Sequence, residues 1–183
     1  MIVNIDLNGL MERQYEISLG VPLKKHQIAY PNLPQRMLKA RDSLMANFRP
    51  ILNRFDITEQ QWRILRALDE HGQLEPKEIG ELCQISSPSM AGMLSRMEEI
   101  ELIARGPVAG DQRRVIVRLS QKGTHLLSQI GPLIDLQYSY IEQTYGKQIF
   151  ADLFKVLEAF IDLNKRSVKQ VDLPSPGQDQ GHI

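Results

Sequence analysis

The stretch SPSMAGMLSRMEEIELIARGPVAGDQRRVIVRLS (87–120) changes its period halfway along. In the first half Met90, Met93, Leu94, Met97 and Ile100 recur three or four residues apart, the spacing of one helix face. In the second half Val115, Val117 and Leu119 alternate, as a half-buried strand does. Together with residues 102–108 they frame AGDQRR (109–114) as a hairpin. A helix running directly into a hairpin is the unit on which the rest of the reading is built.

Upstream, EPKEIGELC (75–83) reads as a short helix with Pro76 in its first turn and Ile79 and Leu82 inward. Ser87 is a candidate cap for the helix after it, with Pro88 at the first helical position. ITEQQWRILRALDEHG (57–72) opens with Thr58 and Gln61 at capping-box spacing. Ile57 and Trp62 stand where a hydrophobic staple needs them, and Gly72 ends the segment. Residues 36–55 carry a further helical stripe, in which Pro50 predicts a kink or the break of one turn. Downstream, Ser120 can cap a long helix over 121–145, weakened at Gly131-Pro132. A last stripe runs from Ile149 to Ile161. Residues 1–34, broken by Gly9, Gly20, Pro22, Pro31 and Pro34, read as an extension, and 167–183 as a polar tail.

Helix, helix, turn, helix and hairpin in that order predict a mainly α fold with a small β wing, a winged helix-turn-helix. The second helix of such a motif enters the major groove of DNA. The face of 87–100 opposite the methionines offers Ser87, Ser89, Gly92, Ser95, Arg96 and Glu99. Small hydroxyl side chains allow close approach, and an arginine can pair with phosphate or guanine. The chain is neutral, with 22 basic and 22 acidic residues, which excludes a uniformly basic nucleic-acid coat. Locally the balance differs: between Arg96 and Lys122 six bases face four acids.

Other classes find little support. No apolar run nears the roughly 18 residues of a membrane span, and the start has no signal pattern, so the expected location is cytoplasmic. His26, His71, His125 and His182 form no metal-ligand spacing, and no nucleophile elbow or phosphate loop occurs. Neither catalytic residues nor a metal nor a cofactor is expected. Cys83 reads as a buried, inert thiol, with a redox switch as the alternative.

The wing residues Asp111, Arg113, Leu119, Ser120 and Gly123 match, in identity and spacing, the wing signature of the MarR family of bacterial regulators. The chain resembles that family over roughly residues 36–165. FRPIL (48–52), TEQQWRILRAL (58–68), LSRMEEIELI (94–103) and the DQRR wing resemble its homoprotocatechuate-degradation repressor branch. The extension of 1–34 departs from the family, whose members usually start near the first helix.

The resemblance implies a homodimer built by helices in 35–56 and 121–166, with a DNA-binding lobe at 57–120. Two copies would read a palindromic operator in double-stranded DNA. Arg113 would enter the minor groove, Asp111 would fix the hairpin or orient an arginine, and Arg114 would face phosphate. Ser87, Ser89, Ser95 and Arg96 complete the expected DNA surface.

Relatives of this kind respond to small aromatic carboxylates, which need a cation and an aromatic wall. Arg41, Phe48, Arg49, Trp62 and Arg63 are the candidates, with Arg41 the choice for the carboxylate. An interhelical ion pair for Arg41 and plain core packing for Trp62 stay open beside that. The expectation is a homodimeric repressor of an aromatic-acid catabolic operon, released by a small aromatic acid. A regulator switched through Cys83 and a winged-helix module for protein association are the alternatives.

Overall fold

The computed structural model describes residues 31–108, 111–163 and 167–173. The chain divides into two units, Met1–Asn47 and Phe48–Ile183. In the first, α1 (Leu33–Met45) begins at Asn32, whose Oδ1 accepts the Gln35 N–H at 3.0 Å. Pro34 sits in the first turn, where a missing N–H costs nothing. No residue of α1 is buried.

The second unit opens with α2 (Arg49–Arg54). Of the two outcomes expected at Pro50, a kink or a break, the break is what forms. Pro50, lacking an N–H and fixing its own φ, occupies the first turn of a new helix instead of bending an old one. In α3 (Glu59–His71) the capping box is complete. Thr58 Oγ1 accepts the Gln61 N–H at 3.2 Å, and Gln61 Oε1 accepts the Thr58 N–H at 2.9 Å. Ile57 and Trp62, the expected staple, are both buried.

Next come β1 (Gln73–Leu74), α4 (Pro76–Cys83), α5 (Ser87–Glu99), β2 (Ile103–Val108) and β3 (Asp111–Leu119). The sheet has the order β1-β3-β2, antiparallel throughout, with Leu74 opposite Val117 and Arg105 opposite Val117 from the other side. β1 is too short to read from sequence, yet it ties the hairpin back to the helices. α4 turns into α5 through Gln84, which adopts the left-handed region at φ 52°. Leu82, expected inward, is 52% exposed, because Ile79 and Cys83 take the buried face of this two-turn helix.

α6 (Gln121–Tyr145) runs on through Gly131 and Pro132, and α7 (Lys147–Leu163) follows after Gly146. The core joins Leu52, Ile64, Leu65, Leu68, Ile79, Leu94, Met97, Val117, Ile130 and Ile134, all nearly inaccessible. In α7 only Phe150 is buried, while Ile149, Leu153, Phe154, Leu157, Phe160 and Ile161 stay exposed.

Candidate nucleic-acid interface

The methionines of α5 decide which way the helix faces. Met90, Met93, Leu94 and Met97 are buried, so the rest of the turn points outward. Ser87, Ser89, Gly92, Arg96 and Glu99 are exposed, and Ser95 is half-buried. The cap is Ser86, one residue earlier than the sequence suggested, because Pro88 takes the second helical position rather than the first. Ser86 Oγ bonds Ser89 Oγ at 3.2 Å instead of the helix backbone. Its own chain therefore leaves the N-terminus of α5 without a side-chain cap, and its free N–H groups suit an anion. Gly92 keeps that surface low: the Arg96 guanidinium passes over it, 4.0 Å from where a Cβ would stand.

At the wing, Asp111 Oδ1 accepts the Arg113 N–H at 3.0 Å, which stabilises the start of β3. The Arg113 side chain is exposed. Arg114, its neighbour, points across the sheet and is hydrogen-bonded and ion-paired to Glu75 at the start of α4. That contact holds its guanidinium above the usual arginine range, through the hydrogen bond first and the Glu75 charge second. Arg105 is paired in the same way with Glu98, which accepts its Nε–H at 2.7 Å and its backbone N–H at 3.2 Å. The Arg105 hydrogen bonds pull the Glu98 carboxyl below its ordinary value. Lys122 lies 3.8 Å from Glu101.

The six bases of 96–122 thus divide. Arg105, Arg114 and Lys122 have acidic partners, and among the described residues Arg96, Arg113 and Arg118 have none. The expected phosphate role of Arg114 meets a competitor, Glu75, that no local pattern announces from 39 residues away. Behind the wing, Ser120 Oγ accepts the Gly123 N–H at 2.9 Å and donates to the Glu101 carbonyl, joining the end of α5 to the start of α6.

The expected effector residues are placed one by one. Phe48 is buried against the Tyr138 ring, with centroids 4.7 Å apart and planes at 51°. Arg49 is half-buried in the first turn of α2. Arg41 is an exposed residue of α1, in the other unit. Arg63 donates to the Cys83 carbonyl oxygen, linking α3 to the end of α4, with its Nε buried. Trp62 is buried to 8% exposure, and its edge lines a cleft of about 630 Å³ between α3 and α6. The cation of that cleft is Arg66, which shares the lining with Asp69, Glu70, Thr124, Ser128 and Asp135. Arg66 follows Trp62 by four residues and so shares its face, whereas Arg63, one residue on, is rotated by about 100°. The sequence contained that signal. Cys83 is buried, and desolvation raises its thiol above the usual range, with Arg63 offsetting part of the rise.

The comparisons with known proteins fit this geometry. The MarR family profile matches residues 57–115, from the N-cap side of α3 into the wing. The regulator FarR of Neisseria gonorrhoeae is 39% identical over 130 residues, 67% of this chain and 89% of the relative. The homoprotocatechuate degradative operon repressor of Escherichia coli is 33% identical over 149 residues, 81% of this chain and 99% of the relative. A crystal structure of NadR with 4-hydroxyphenylacetate superposes with a TM-score of 0.67 at 34% identity, covering 73% of this chain and 98% of that one. A chain with this wing, this uncapped serine helix and these relatives is a transcriptional regulator of the MarR family.

Proposed function

We propose that the protein is a homodimeric repressor of an operon for aromatic-acid breakdown, released from a palindromic operator by a small aromatic carboxylate. The observation that carries the DNA part is the sorting of charge on the lobe. Among the described residues, Arg96 on α5 and Arg113 on the wing have no acidic partner and are exposed, while Arg105 and Arg114 beside them are ion-paired. Ser87, Ser89 and Arg96 would meet the major groove, and Arg113 the adjacent minor groove, whose narrow A·T tracts attract arginine.

The dimer is supported by α7, whose apolar stripe is exposed along its length. The effector part rests on the α3–α6 cleft. Arg66, with no ion pair among the described residues, stands beside the indole of Trp62. A carboxylate on Arg66 and a ring against Trp62 fit a compound of the size and type that NadR holds. Binding there would favour a spacing of the two DNA lobes that no longer matches successive major grooves. A Cys83 switch is disfavoured by burial of the thiol.

The test is a gel shift on genomic fragments with unlabelled competitor, repeated with phenylacetates, benzoates and cinnamates. Competitor-resistant complexes that dissolve with one acid class support the proposal. Absence of any specific complex would overturn it.

A further inference from the structure

The wing's two adjacent arginines do different work. We infer that Arg114 is a positioning residue, which, through its ion pair with Glu75, sets the angle at which the wing presents Arg113, and that it makes no phosphate contact. This deepens the DNA-binding reading above and rests on it.

Three observations carry the inference. Glu75 stands at a junction, directly after β1 and directly before α4. Its N–H is held by Glu78 Oε2 at 2.7 Å, so the carboxylate that meets Arg114 comes from a fixed backbone. β1 pairs with β3 at Gln73–Arg118 and Leu74–Val117, at the end of β3 away from the tip, and the Glu75–Arg114 pair continues that attachment towards the tip, from Val117 to Arg114. Beyond Arg114, the described residues of the hairpin are held by the Val108–Asp111 pairing, past a register shift after Pro107, and by the Asp111–Arg113 turn bond. On the opposite strand, Arg105 is fastened to Glu98 of α5. Each wing strand is therefore tied by one arginine to one helix of the helix-turn-helix, and the tip is aimed from both sides.

A guanidinium in this pair also has little reason to leave it. Asp111 and Glu78 add to the negative potential that Glu75 places around it. Moving to a phosphate would replace one anion by another and leave a half-buried carboxylate alone.

The experiment uses the full chain and a duplex of about 30 base pairs enriched by the wild-type protein from a randomised pool. Affinity is measured across a salt series for wild type, Arg114→Ala, Glu75→Ala, the double variant and the exchanged pair Glu75→Arg/Arg114→Glu. Exposed ion pairs set the scale, so each single variant should weaken binding about threefold per wing, about tenfold for a dimer. The salt slope should stay that of wild type. The double variant should match the singles, and the exchanged pair should recover affinity. Thermal unfolding of each variant should stay near wild type.

A phosphate role gives the opposite pattern. Arg114→Ala would flatten the slope by about 0.9 per contact, about 1.8 for two wings, and Glu75→Ala would bind as tightly or more tightly. That result overturns the inference and leaves the operator reading intact. A pool that yields no enriched duplex would overturn both.

Discussion

Gly123 lies against the carbonyl oxygen of Leu102, so close that a Cβ on it would overlap that oxygen. The same oxygen accepts the Ser120 N–H at 3.2 Å, so it cannot move aside without loosening the cap of α6. Gly123→Ala should therefore destabilise the fold by about 1–3 kcal/mol, the usual cost of overpacking. Thermal unfolding would register this as roughly 2–4 °C per kcal/mol. Gly131→Ala in the same helix meets nothing within 4 Å and should raise stability slightly. Equal effects at both positions would contradict this account.

Much of this arrangement was legible in the chain. Thr58 with Gln61 and Ser120 with Gly123 are local patterns, and local patterns survive folding; of the alternating Val115, Val117 and Leu119, only Val117 is buried, and Val115, nearer the tip, is 42% exposed. The misreadings have local causes too. Pro88 sits one helical position later than assigned, and Pro50 falls in the first turn of a new helix, because proline is tolerated anywhere in a first turn. Arg66, four residues after Trp62, shares its face and lines the cleft, so the choice of the adjacent Arg63 overlooks a spacing that the sequence does carry. What the sequence could not supply is reach. The Glu75–Arg114 and Arg63–Cys83 contacts join elements 39 and 20 residues apart.

For Arg113 the expected variant is Arg113→Ala. Its affinity should fall about tenfold or more on a duplex with an A·T-rich segment under the wing, and less on a G·C-rich one. Competition binding on the two duplexes reads this directly. An unaltered preference would remove Arg113 from the interface.

Trp62 is the protein's single tryptophan, so its emission reports on the α3–α6 cleft. An aromatic carboxylate bound there should change that emission in proportion to occupancy. Arg66→Ala should weaken the ligand about tenfold or more, as expected for losing a charge-assisted bond. Arg63→Ala should leave the ligand affinity near wild type while lowering thermal stability, because its partner is the Cys83 carbonyl.

Cys83 bears on both redox and pH. Its folded-state pKa is raised by burial, so the thiol stays neutral where an unfolded chain would begin to ionise. The contribution is fully present below the unfolded value and is lost as pH rises through the folded one. Unfolding measured from pH 7 to 10 should therefore show wild type losing stability faster than Cys83→Ala on the alkaline side. Mild peroxide should leave operator binding unchanged.

Leu157, on the exposed stripe of α7, is the position to test assembly. Leu157→Glu keeps a good helix former but puts a charge where apolar contact is expected. Light scattering should show the mass halved, with the helical circular dichroism signal retained. A wild-type protein that already scatters as a monomer would remove the dimer from the proposal.

α6 is also a lever. It spans 25 residues, about 37 Å, and Pro132 interrupts its hydrogen-bond ladder near the middle. From that point to the Ser120 end, where the wing is anchored, the arm is about 17 Å long. A change of about 10° at the weakened turn would swing the anchored end by about 3 Å, a sizeable fraction of the spacing between base pairs along a duplex. The cleft that holds Trp62 and Arg66 is lined by Gly131 and Ile134, on either side of that fulcrum.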